Sequence, residues 1–265
     1  MFFSRKAPNN VTPNRLLING LSMRLDELVH YLAFLFTTAA YPPEEQGGIY
    51  HSHPDSIDQP VRRIGLALEP WPGLPDWLVE NRIDTLWLHR PWHLDPAVLP
   101  ENTTVLAHHL PFDEHFTIGY NRSMAEAVGL PWTVAEGPEP IGYKQAPGLP
   151  PRPIGMLGRS PQLDLESWRN QIIDLFGGYE EAYPGRQSAP DRIAVVGAMT
   201  DALIREASDR GAGLYITGQY RKGAQRAVDA TGLTVIAIGH RRSEEWGLRK
   251  LADLLRAQGL ICWVA

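Results

Sequence analysis

Apolar residues recur along this chain in two rhythms, and each predicts its own kind of element. From Leu25 the positions Leu25, Leu28, Val29, Leu32 and Leu35 keep the spacing of one helix face. Ser22 is placed as its N-cap and Tyr41-Pro42-Pro43 as its stop. Short apolar runs at 64–68, 85–88 and 104–107 predict buried strands, with short helices at 75–81 and 121–130, the second ended by Gly129. A helix at 163–176 stops at Gly177-Gly178, and a loop at 183–190 follows. Beyond it the alternation is regular: strands at 192–196, 214–217 and 234–238, and helices at 201–210, 222–230 and 244–256. Short strands alternating with helices of this length predict an α/β fold of mixed, partly parallel sheets with helices packed on them. Two interlinked lobes are expected, at 23–130 and 154–265, joined by the Pro- and Gly-rich segment 131–153. Residues 1–22 read as an N-terminal extension, rich in Asn and Pro and without a usable period, and Met23 is an alternative start.

Composition narrows the class. With 265 residues, 43% of them apolar and 21% charged, the chain has material for a substantial core and is not of disordered type. Its formal charge of -5 argues against broad nucleic-acid binding, which needs a basic footprint. The one cysteine, Cys262, lies in the apolar tail 260–264 and reads as a small buried hydrophobe. The longest apolar run, at 31–36, is far short of the roughly 20 residues that a membrane helix needs, and no secretory leader is evident. The cytoplasm is therefore the expected compartment.

The candidate chemistry sits where strands end. The strands ending near Leu88, Ala107 and Ile238 hand over to His89, His109 and His240. Ligands bind at the carboxyl ends of strands in open α/β sheets, because loops converge there on a rigid support. Asp113 follows His109 by four residues, and Glu244 follows His240 by four. Imidazole nitrogens with ionised carboxylates form the ligand set of a first-row divalent ion: zinc, iron, manganese or nickel. Glu244, placed near a helix N-terminus, is expected to be held ionised by the helix dipole. The His51-Ser52-His53 spacing also suits a metal, but it lies in a Pro-, Gly- and Ser-rich loop and reads as solvated. No nucleophile elbow, P-loop, dinucleotide fingerprint or cysteine pair competes with this reading. Gly197 to Asp201 opens a helix and reads as ordinary capping.

These residues resemble those of the Nif three-like family, also called the GTP cyclohydrolase I type 2 or dinuclear-metal-centre family. The likeness runs from about Met23 to the end and is strongest over 192–255, with Tyr215-Ile216-Thr217-Gly218 and Gly239-His240-x-x-Ser243-Glu244 in the family's order. His109 to Asp113, Gly119, Asn121, 125–130 and 154–157 also match. The resemblance implies the Nif three-like fold, a hexameric ring and a dinuclear centre. It places His89, Asp113, His240 and Glu244 as metal ligands, with His109 beside Asp113 as the candidate for proton transfer. Three departures stand out: Arg90 replaces a second adjacent histidine, Leu110-Pro111-Phe112 replaces Thr-Asn-Leu, and Gln219 replaces an acid. Arginine is always protonated and offers only donors, so it cannot ligate a cation. One ion per chain is therefore expected over two, with Arg90 pairing Asp113 or Glu244 or receiving an anionic substrate group; a site in which Arg90 replaces the metal altogether is the competing expectation. His93 and His115 are the candidates to compensate for the lost ligand. Two functions follow. One is a metal-dependent hydrolase of a nucleotide-like small molecule; the other is a non-catalytic ring-shaped scaffold with a decayed site. Trp71, Trp77 and Trp92 serve either the core or an interface.

Overall fold

The three apolar runs of the first half form the middle of one sheet. β2 (Arg63–Ala67), β3 (Thr85–Leu88) and β4 (Thr104–Ala107) run parallel, with Leu66 beside Trp87 and Trp87 beside Leu106. Both faces are covered, which is why these strands read as continuous apolar runs and not as alternations. β1 (Gly48–His51) flanks β4 antiparallel, and β11 (Ile261–Val264) flanks β2 parallel, giving the order β1-β4-β3-β2-β11. The apolar tail is thus a strand that returns to the first sheet. Cys262 is buried in it, and burial pushes its thiol up to about 11. The computed structural model describes residues 23–53, 59–133, 137–161 and 163–265. The expected extension, the Ser22 cap, and Pro54 and Asp55 of the His-x-His loop lie outside the described residues.

The second sheet contains β5 (Glu139–Lys144), β6 (Arg152–Arg159), β7 (Glu181–Tyr183), β8 (Arg192–Val196), β9 (Leu214–Thr217) and β10 (Thr234–Ala237), in the order β5-β6-β8-β9-β10-β7. β8, β9 and β10 are parallel; the other three pair antiparallel. The mixed, partly parallel sheets are those that the sequence pattern predicts. Five strands carry no clear strand signal. The β5–β6 hairpin hides in the Pro- and Gly-rich segment, because Pro140 lies on an outer strand and Pro153 beyond the part of β6 that pairs β8. β1 hides behind Gly47 and Gly48, which read as loop glycines; a Cβ on Gly47 would stand 2.3 Å from the Ala107 carbonyl oxygen, so glycine there permits the approach to β4. β7 has three residues, too few for either rhythm to register, and β11 lies in the apolar run that reads as a tail.

Helices cover both sheets. α1 (Leu25–Leu35) and α8 (His240–Ala257) pack on one face of the first sheet, against Leu66, Trp87 and Leu106, and α2 (Leu74–Glu80) packs on the other, against Leu86, Leu88 and Val105. α3 (Leu110–Phe116) crosses α8. α4 (Arg122–Ala127) and α5 (Leu165–Phe176) cover one face of the second sheet, and α6 (Asp201–Asp209) and α7 (Gln225–Thr231) the other. α8 ties the two cores together, since its Trp246 packs with Phe176 over the second sheet while Leu248, Leu251 and Leu255 pack over the first. It begins four residues before the predicted start, because Gly239 offers no capping side chain to mark the boundary. Among the described residues no helix is long and apolar enough to cross a membrane.

One ion cluster ties the end of β5 to its neighbours. Glu139 accepts from Arg192 at 2.5 Å and from Arg210 at 3.0 Å, and its carboxyl is held below the ordinary carboxylate range, chiefly by the Arg210 hydrogen bond. A depressed folded pKa gives stability that is complete above the unfolded value and lost as pH falls through the folded one. Glu139→Gln is therefore expected to lower stability at neutral pH by less than about 1 kcal/mol, the cluster being solvent-screened. The difference from the parent should vanish as pH falls below about 4, which thermal unfolding across that range would show. A gap that persists in acid would mean that the carboxylate charge is not its source.

Candidate metal centre

The site lies where strand ends from both sheets meet α8. Beyond β3, His89 and Arg90 stay tied to the neighbouring chain, their N–H groups donating to the carbonyls of Ala67 at 3.1 Å and Leu68 at 2.8 Å. Two side chains are thereby fixed by backbone pairing rather than by a mobile loop. Beyond β4, His109 caps α3 and Asp113 follows one turn in, its N–H donating to the His109 carbonyl at 3.1 Å. From the second sheet, β10 leads through Ile238 and Gly239 into His240, the first residue of α8, with Glu244 one turn along the same helix face.

All six residues named from the sequence come together, and each has a distinct setting. His89 is fully buried. Its Nδ1 lies 3.2 Å from the His108 carbonyl, which can only accept, so Nδ1 carries the proton and donates. Its Nε2 faces two carboxylate oxygens, Glu244 Oε1 at 3.2 Å and Asp113 Oδ1 at 3.4 Å. Three acceptor atoms cannot face one another without a positive charge among them, whether a proton or a cation. Arg90 supplies part of that charge: its NH1 and NH2 donate to both oxygens of Glu244, at 2.6 and 2.8 Å, and its Nε donates to Glu69 at 2.8 Å. Of the expected alternatives for Arg90, the structure realises the pairing with Glu244.

Glu244 is buried, and burial pushes its carboxyl up. Hydrogen bonds from His240 and Arg90 outweigh burial and hold it far below the ordinary range. This corrects the helix-dipole expectation: α8 begins at His240, so Glu244 lies a turn beyond the N-terminal positions, and its charge is held by these side chains. His240 is half exposed, with Nε2 2.9 Å from Glu244 Oε1, and that hydrogen bond pushes its pKa up. His109 is pushed down to about 4, by burial first and then by the neighbouring His89 and Arg90, so its imidazole is neutral at physiological pH. Burial pushes the Asp113 carboxyl up.

A subset of these groups is arranged as metal ligands are. His89, His109 and Asp113 each offer one ligand atom within 4.8 Å of the others. Asp113 Oδ1 is buried without a hydrogen-bond partner, although buried polar atoms are normally satisfied. Two imidazole nitrogens and a carboxylate oxygen suit a first-row divalent ion. His93 and His115 fall outside this group, His115 packing edge-on against Tyr41.

Three supporting residues escaped the sequence reading. Glu69, the second acceptor of Arg90, follows β2 by two residues, so the strand-end rule that selected the histidines would also have found it. His108, not His109, continues the strand into the core: it accepts from Trp87 Nε1 at 3.1 Å, and burial pushes it down to about 3. Glu114, next to Asp113, accepts from Arg152 Nε of β6 at 2.8 Å and from the Tyr41 hydroxyl at 2.9 Å, pinning α3 to the second sheet. No local pattern announces that contact, because its partners lie 38 and 73 residues away.

Comparison with known proteins identifies the fold and the family. The chain is 25% identical over 252 residues to a Deinococcus radiodurans protein named GTP cyclohydrolase 1 type 2 homolog, covering 90% of each chain. Its fold is similar to that of reduced HcgD from Methanocaldococcus jannaschii, with a TM-score of 0.68 at 18% identity over 91% of this chain and 97% of that one. A Bacillus cereus protein related to NIF3 superimposes with a TM-score of 0.61 at 13% identity, over 92% of this chain and 96% of that one. The pattern of the Duf34/NIF3 (NGG1p interacting factor 3) family matches residues 23–262, from the start of the first helix to the returning strand, and the chain belongs to that family.

Proposed function

We propose that the protein is a metal-dependent hydrolase of a nucleotide-like small molecule, working with one divalent ion of zinc, iron, manganese or nickel per chain. The observation that carries this reading is the convergence of His89, His109 and the unpartnered Asp113 Oδ1 on one point. The name of the Deinococcus relative supports the reaction class. His240 and Glu244 complete the wider ligand set that the resemblance implies, but Arg90 occupies both oxygens of Glu244, which favours one ion over two. A bound divalent ion would lower the pKa of its water toward neutrality and polarise the bond to be broken. Glu244 holds Arg90 and His240 in place beside it. His240, raised in pKa and half exposed, is suited to giving a proton from the ring nitrogen that does not face Glu244, and neutral His109 to taking one if it does not ligate.

A second reading, a non-catalytic scaffold, rests on the same fork: Arg90 neutralises Glu244 without any metal. Metal content decides between them. Protein purified without chelator or affinity nickel is expected to hold one ion per chain, lost in His89→Ala. No ion in either protein would favour the scaffold. Arg90→His removes the fork and adds an imidazole, and is expected to raise the stoichiometry toward two; an unchanged count would sink the account of Arg90. The hexamer implied by the family resemblance is part of this proposal, supported by exposed Ile261 and Trp263 along the outer strand β11, and light scattering tests it.

A further inference from the structure

A cavity of about 650 Å³ opens beside Arg90, within the range of small-molecule pockets. Its walls include Glu69, Trp71, Trp92 and Asp95. Charge decides what it can take. Arg90 reaches the wall, but its donors are divided between Glu69 and Glu244, so the cation is already more than neutralised. Glu69 is itself shared between Arg90 and Arg241, whose NH1 lies 3.6 Å from its Oε2, so Asp95 is the uncompensated charge of the lining and no lining cation is left to hold a phosphate. The aromatic surface points to a flat apolar partner. Trp92 is 56% exposed, a large apolar area left in water, and Trp71 is braced edge-on by Trp77 at 5.5 Å. Trp92 also meets the His109 ring, 5.1 Å between centroids, so one side chain borders both the cavity and the candidate metal group.

We propose that this cavity receives the planar nitrogen-heterocyclic part of the substrate, stacked on Trp92 and Trp71 with ring N–H donors toward the Glu69 carboxylate. The proposal rests on the hydrolase reading and adds that the ring, not the phosphate, occupies the space beside Arg90. The reacting end then lies past Trp92, toward His109. Tryptophan faces take any base, whereas a carboxylate acceptor selects rings that present N–H donors.

Calorimetric titration with guanosine, which presents N–H donors, and with ribose 5-phosphate, which has charge but no ring, tests this directly. Guanosine is expected to bind, about tenfold or more weakly to Trp92→Ala, with much of the loss restored in Trp92→Phe. Glu69→Gln, which keeps an acceptor for Arg90, is expected to weaken guanosine several-fold, and ribose 5-phosphate is expected not to compete. Trp92 is exposed, so its variants should keep the parent's melting temperature. Guanosine that fails to bind, or that binds Trp92→Ala and Trp71→Ala as tightly as the parent, overturns the proposal. Metal content is read separately: a parent without metal that still binds guanosine through Trp92 would overturn the hydrolase reading and leave the cavity assignment standing.

Discussion

Glu244→Ala is expected to cost about 3 kcal/mol of folding stability, the lower end of what breaking a buried ion pair costs. The Glu244 side chain is 1% exposed, its two oxygens accept from Arg90 and His240, and its Oε1 lies 3.2 Å from His89 Nε2. Removing it strands a guanidinium whose own side chain is only 11% exposed. Glu69 still accepts from Arg90 Nε, which keeps the loss from reaching the upper end of the range. Glu244→Gln preserves the shape and an acceptor oxygen but removes the charge, and should fall between parent and Glu244→Ala. Urea unfolding at neutral pH, with and without chelator, measures the difference and separates it from any loss of bound metal. A cost under about 1 kcal/mol would mean that Arg90 swings into solvent when its partner is removed.

Gly247→Val is expected to destabilise by about 3 kcal/mol through overpacking. It should also reduce metal binding, although residue 247 offers no ligand atom. A Cβ at Gly247 would stand 2.3 Å from the Phe116 carbonyl oxygen and 3.1 Å from Phe112 Cζ. The nearer neighbour is backbone, so the helices themselves must part. Glycine here sets the distance between α3, which carries Asp113, and α8, which carries His240 and Glu244. Gly223→Ala is the control, because nothing lies within 4 Å of a Cβ there. If Gly247→Val holds its stability and its metal while Gly223→Ala behaves the same way, the close crossing does not position the site.

Much of this architecture was legible because burial on both faces leaves a strong local trace. The runs that became β3, β4, β8 and β9 are apolar but for one end residue each, and their ends coincide with the predicted ones. Edge strands leave a weaker trace: β1 and β5 are partly exposed and punctuated by glycine or proline, the residues that otherwise mark loops. α3 was missed for a related reason. Only two residues, neither of them a turn residue, separate it from the end of β4, and His109 supplies no capping hydrogen bond. Pro111 in its first turn was the one local start signal.

By itself the sequence determined the alternation of strands and helices, and the positions of His89, His109 and His240 just beyond strand ends, because periodicity and chain punctuation are local properties. It also determined that position 90 holds a side chain unable to ligate a metal. Only the tertiary structure decided that Arg90 grips Glu244 across 154 residues, that Glu69 shares the same guanidinium, and that Asp113 Oδ1 is left without a hydrogen-bond partner. It likewise decided that the tail returns to the first sheet as β11. The pairings among these join residues far apart in the chain, and no short window contains both partners.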